Sequence, residues 1–220
     1  KVLYQRWEYS GLPHSNSRLL FTMNPDGTSQ LAHYGSNSYF PTAFFGARPI
    51  PGHSSAVAGI ATGHHSVSRA GRLLIIDPTK GRHEADGVVA EIPHRGRKVE
   101  PIIRDRLPDG VWPLFMNPFP LSEKYFLVSM KESPDALWGL YLVDVFNNMT
   151  LLYEAEGEAV IEALPFASRK TPPVIPDRID LKSKTATVFL QDVYYGPGLA
   201  GVEKGEVEKL RIGSYFFSPY

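Results

Sequence analysis

The residues of this chain best equipped for chemistry are its histidines. His64 and His65 follow Gly63, His53 stands upstream in a Pro-Gly-His turn, and His83 opens the segment His83-Glu84-Ala85-Asp86. Imidazole nitrogens together with carboxylates form a ligand set that zinc and similar ions accept. This makes His53, His64, His65 and His83 the candidate ligand-binding residues. The candidate metal ligands are His64, His65, His83, Glu84 and Asp86. Neighbouring residues of a strand point to opposite faces, so His64 and His65 would share an ion only from within a turn. Their spacing matches no strong metal signature. The acidic turn before Gly87 offers only two carboxylates, fewer oxygens than a calcium loop needs. The favoured expectation is hydrogen-bonding loop histidines and a solvated turn, with no resident metal and no cofactor. No catalytic residue is assigned.

Other chemistries are excluded more firmly. The chain has no cysteine, which removes disulfides, thiolate metal sites, cysteine nucleophiles and covalent c-type haem. No Gly-x-Ser-x-Gly elbow and no phosphate-cradling loop occurs. Lys and Arg total 23 against 23 Asp and Glu, so no basic excess draws the chain to nucleic acid. The local cluster His94-Arg95-Gly96-Arg97-Lys98 is flanked by Glu91 and Glu100 and reads as a solvated loop. No apolar run approaches the ~18–20 residues of a membrane span. No signal peptide is recognisable. The opening Lys1-Val2-Leu3-Tyr4-Gln5-Arg6-Trp7 already reads as a strand, which suggests a mature form or an excised segment.

The elements that would carry such residues are strands. Gly and Pro number 19 each among 220 residues, which leaves little room for long helices. One phrase recurs: Arg18-Leu19-Leu20-Phe21-Thr22-Met23-Asn24-Pro25-Asp26-Gly27-Thr28, then Arg72-Leu73-Leu74-Ile75-Ile76-Asp77-Pro78-Thr79-Lys80-Gly81, then Gly139-Leu140-Tyr141-Leu142-Val143-Asp144-Val145-Phe146-Asn147-Asn148. Each delivers an apolar run into a tight turn, as repeated β-sheets do. Strands are expected at 2–9, 18–23, 43–50, 56–62, 72–77, 88–92, 114–118, 125–130, 139–145, 150–155, 161–165, 185–191 and 207–215. They group into repeat-like units of roughly 1–34, 40–92, 112–155 and 161–215. The last is interrupted by the extended segment Arg169-Lys170-Thr171-Pro172-Pro173-Val174-Ile175-Pro176. The expected fold is all-β, with propeller-like blades of antiparallel sheets in a single β-rich domain of residues 1–220. About three and a half units fall short of the usual four to eight blades, so a segment of a larger multidomain protein is expected.

Longer phrases carry a family resemblance. Met23-Asn24-Pro25-Asp26-Gly27-Thr28 looks like the blade motif of TolB-type repeats. In order along the chain come Tyr34-Gly35-Ser36-Asn37-Ser38, Ala47-Arg48-Pro49-Ile50-Pro51-Gly52-His53, Gly63-His64-His65 and Asp77-Pro78-Thr79-Lys80-Gly81-Arg82-His83-Glu84-Ala85-Asp86-Gly87. Pro120-Leu121-Ser122-Glu123-Lys124-Tyr125-Phe126, Leu140-Tyr141-Leu142-Val143-Asp144-Val145, Pro173-Val174-Ile175-Pro176-Asp177-Arg178 and Tyr195-Gly196-Pro197-Gly198-Leu199 follow. Together they resemble the hydrazine synthase alpha-subunit family, in its middle domain and the propeller sequence leading into it. That family holds c-type haem through a Cys-x-x-Cys-His motif. With no cysteine, this chain resembles instead the haem-less relatives found in large exported proteins of Bacteroidetes and Planctomycetes. The resemblance implies a periplasmic or envelope location in a parent protein. It also implies a non-catalytic scaffold or interaction module whose partners are neighbouring domains or another protein. An accessory wall of an enzyme site, lined by 52–66 and 82–86, is the second expectation. Carbohydrate binding by a row of aromatics such as Trp138, Tyr194 and Tyr195 is the third.

Overall fold

The computed structural model describes residues 1–7, 18–35, 38–63, 69–185, 187–188, 190, 192–194 and 197–213. Its regular elements are β1 (Val2–Trp7), β2 (Arg18–Met23), β3 (Leu31–Tyr34), β4 (Ala43–Pro49), β5 (Val57–Thr62), β6 (Arg72–Ile76), β7 (Val88–Ile92), β8 (Leu114–Pro120), β9 (Tyr125–Lys131), β10 (Gly139–Asp144) and β11 (Met149–Tyr153). A 3₁₀ turn covers Pro197–Leu199, and there is no α-helix among the described residues. No helix among them is long and apolar enough to cross a membrane. The chain forms two compact units, 1–179 and 180–220, and all eleven strands belong to the first.

The strands form consecutive antiparallel meanders: β1–β2–β3, β4–β5–β6–β7 and β8–β9–β10–β11. The first two are joined into one hydrogen-bonded sheet by a single parallel pair, Arg18 with Ala43. The repeated phrase supplies the third strand of each complete meander, β6 and β10, and β2 of the first. β1–β3 therefore correspond to the last three strands of the four-stranded unit.

The turn after each copy uses an aspartate in the same way. The Asp26 carboxylate accepts the Thr28 N–H and hydroxyl at 2.9 and 2.7 Å. Asp77 accepts the same two groups of Thr79 at 3.0 and 2.8 Å. Asp144 accepts the N–H groups of Phe146 and Asn148 at 2.8 and 3.0 Å. An aspartate that bonds backbone two residues on mimics a turn and fixes the chain reversal. Gly27 adopts φ +81°, as an Asp-Gly turn requires. Gly81, expected to act likewise, does not occupy the left-handed region. It is glycine because a Cβ there would lie 2.4 Å from the Asp86 Cβ.

The middle meander is apolar on both faces. Ala58, Ile60, Leu73 and Ile75 pack with Phe115, Phe126, Val128, Met130, Tyr141 and Val143 of the third meander. Val57, Ala61, Leu74 and Ile76 pack on the opposite side with Leu20, Tyr34, Phe40 and Phe44. Period-two alternation splits β5 and β6 between two cores, which is why every residue of β5 is buried.

The fourth expected unit differs. The described residues of 161–165, 185–191 and 207–213 form no strand. Phe166, Val174 and Leu181 are almost fully exposed, at 109%, 92% and 92%. A strand-like composition forms a strand only against a neighbour that completes its ladder, and none of the described residues supplies one here. β3 was not anticipated. It is the second arm of the hairpin closed by Asp26-Gly27, and Leu-Ala-His-Tyr carries little β-propensity.

Candidate functional site

The structure describes two of the four candidate histidines, His53 and His83. His64 and His65 lie outside the described residues. His83 and Asp86 are exposed on the β6–β7 connection. His53 is half exposed, with Nε2 3.5 Å from the Glu123 carboxylate, a surface pair worth little to stability. No group of three or more His, Asp or Glu among the described residues is placed to hold a metal ion.

Glu84 has a different task from the one its spacing suggested. Its two carboxylate oxygens accept the N–H groups of Tyr39 and Phe40 at 2.8 and 2.9 Å. Its own N–H donates to Ser38 Oγ at 3.0 Å, and its carbonyl accepts the Tyr34 hydroxyl at 2.7 Å. The Tyr34 oxygen in turn accepts the Gly87 N–H. Burial pushes the Tyr34 hydroxyl up to about 12, so it stays a donor at any physiological pH. This network clamps the β6–β7 connection to the segment entering β4. It occupies both oxygens that a cation would need.

A histidine that the spacing did not single out lies beside His53. His33 and His53 both line a cleft of about 350 Å³, with Lys1, Thr22 and Ser55. His33 Nε2 is 2.9 Å from the Ser55 carbonyl, while Ser55 Oγ donates to Asp77 at 3.3 Å. The imidazole thus meets a carbonyl and not the hydroxyl, so the three residues do not form a nucleophilic triad. Burial, opposed by the Ser55 carbonyl and helped by the Arg82 charge, holds the His33 pKa below its usual 6.5. A lowered histidine pKa means the unfolded chain takes the proton first. Stability is therefore complete above pH 6.5 and declines as pH falls through the folded-state value. Urea unfolding at pH 7.5 and 5 should show this decline, and His33→Gln should flatten it.

The largest cavity described, about 590 Å³, lies where β4 meets β8. Both strands carry a bulge at the same point. Gly46 and Ala47 oppose one residue of β5, and Asn117 and Pro118 oppose one residue of β9. The first residue of each bulge is left-handed, Gly46 at φ +60° and Asn117 at φ +48°. Arg69 at φ +59° and Glu162 at φ +58° also line this cavity. Four residues in the left-handed region around one cavity, three of them not glycine, mark a place where packing holds unfavourable backbone.

The side chains there are polar and basic. Arg48 follows the β4 bulge and its guanidinium lies 5.3 Å from the centre of the Phe119 ring. Phe119 holds the equivalent place after the β8 bulge. Arg69 lies 5.2 Å from the Phe45 ring, and Arg169 lies 5.0 Å from Phe119. Gln5, Asn117 and Glu162 complete the polar lining, with Asn117 Nδ2 donating to Glu162 at 3.4 Å. Trp138 lines this cavity and a second one of about 440 Å³, which Trp112 also lines. Tyr194, expected beside Trp138 in an aromatic row, belongs to the second unit. Its hydroxyl accepts the N–H groups of Gly205 and Val207. Tyr195 lies outside the described residues. Comparison of the chain with protein-family models, with curated proteins and with solved structures finds no match.

Proposed function

We propose that this chain contributes blades to a larger propeller and works there as a non-catalytic scaffold or interaction module. The supporting observation is the outward face of the third meander. Leu127, Leu140 and Leu142 share the face turned away from the Phe126–Val143 core, and all remain partly exposed. A sheet with one solvated face alternates apolar and polar residues. β9 and β10 instead carry Leu127, Leu140 and Leu142 on this face, beside the polar Ser129, Lys131 and Asp144. The occupant that fits is a further four-stranded meander, since the middle meander already packs a neighbour on each side. Kinship with exported, haem-less relatives of the hydrazine synthase alpha subunit belongs to the same proposal and rests on the sequence phrases. An enzymatic role draws no support from His53 and His83, the described members of the candidate set.

Light scattering over a range of concentrations tests this reading. The chain on its own should self-associate through the exposed face, and Leu127→Thr with Leu142→Thr should suppress that association while leaving the fold intact. A chain that stays monomeric at high concentration and shows no change in the double variant would sink the proposal.

A further inference from the structure

We propose that the cavity between the β4 and β8 bulges binds an anionic sugar residue, a uronate, with its carboxylate between Arg48 and Arg69. Both guanidinium groups face the same cavity, and neither makes an ion pair or hydrogen bond with a described residue. Instead each lies against an aromatic ring, Arg48 on Phe119 and Arg69 on Phe45. Each guanidinium lies within cation–π range of its ring, and no described residue takes up its N–H groups, which leaves them available to a carboxylate. Two like charges sharing one cavity repel, and a bound anion relieves that repulsion.

The remaining lining selects among anions. A small inorganic ion would use the arginines and leave Trp138 untouched. Trp138 lines this cavity and the second one, which Trp112 also lines, so a ligand reaching both would pass two tryptophans. The apolar face of a sugar ring packs on aromatic rings. Asn117 and Glu162 offer an amide and a carboxylate, which pair with hydroxyls as donor and as acceptor. Glu162 also disfavours a doubly charged phosphate relative to a monocarboxylate. The left-handed backbone at Gly46, Arg69, Asn117 and Glu162 holds this lining in place before ligand arrives.

Calorimetry with the full chain tests the site, using trigalacturonate and its methyl ester, which has the same sugar rings without the charge. The acid should bind saturably and about tenfold or more tighter than the ester, the worth of one charged hydrogen bond or more. Arg48→Gln with Arg69→Gln should remove that preference while the urea midpoint stays unchanged. Trp138→Phe should weaken acid and ester alike. If the double arginine variant fails to fold, the acid–ester comparison on the unaltered chain still decides. Equal affinity for acid and ester, tighter binding of adenosine monophosphate than of trigalacturonate, or no saturable binding at millimolar concentrations would overturn the proposal.

Discussion

Replacing Gly71 with alanine is expected to destabilise the fold by about 3 kcal/mol, among the larger effects a single methyl group can have. Gly71 is buried just before β6 and bridges to Phe115 of β8. Its N–H donates to the Phe115 carbonyl at 3.0 Å, and its carbonyl accepts the Phe115 N–H at 2.9 Å. This pair ties the middle meander to the third by backbone. A Cβ on residue 71 would lie 2.2 Å from the Ala61 carbonyl oxygen and 3.0 Å from the Thr62 Cβ. The obstacle is backbone in a fully buried strand, so it cannot swing aside. Either β6 shifts from β5 or the bridge to Phe115 opens. Urea unfolding should show a lower midpoint at unchanged slope. Gly198→Ala, where nothing lies within 4 Å of the added methyl, should stay within about 0.5 kcal/mol. Equal stability of Gly71→Ala and the parent would show that the two meanders are not joined at this point.

Glu84→Ala should cost about 2–3 kcal/mol. The substitution removes both acceptors of the Tyr39 and Phe40 N–H groups. Phe40 is wholly buried, so its N–H would lose a charged partner where water does not replace it. Glu84 also sits at φ +48°, a conformation its side-chain bonds hold in place. Glu84→Gly would relieve the backbone and still lose the clamp, so it should recover only part of the loss. Thermal unfolding of the three proteins orders them: parent, then glycine, then alanine. An alanine variant as stable as the parent would mean the carboxylate is dispensable, and would reopen a ligand-binding role for this turn.

The strands and the aspartate turns were legible because each rests on local chemistry. An apolar run followed by Asp-Gly-Thr or Asp-Pro-Thr carries its own reversal. The cavity was not legible, because Arg48 and Phe119 become equivalent only once the β4–β5 and β8–β9 registers are known. Nothing in the local sequence of Gly46-Ala47 or Asn117-Pro118 announces that both are bulges. The clamp formed by Glu84 was not legible for a related reason. The residue's neighbours His83 and Asp86 suggested a ligand turn, but its partners Ser38, Tyr39 and Phe40 are more than forty residues away. His33 gave no signal, since a single histidine in a short strand has no spacing to read. Composition marks 161–165 and 207–215 as strands, of which 161–165 and 207–213 are described and form none, because composition is silent about whether a neighbour is present.

Among the described residues, strands pair with their neighbours in sequence, apart from the parallel Arg18–Ala43 contact and the Gly71–Phe115 bridge. This has a consequence for how the molecule comes into being. Each layer closes its own hydrogen bonds over a short stretch of chain, so little loop entropy is spent before contacts form. During synthesis the first layer can be complete before the second emerges, and the second before the third. Each finished layer then presents an apolar surface on which the next settles. Assembly can then run in chain order, one layer at a time.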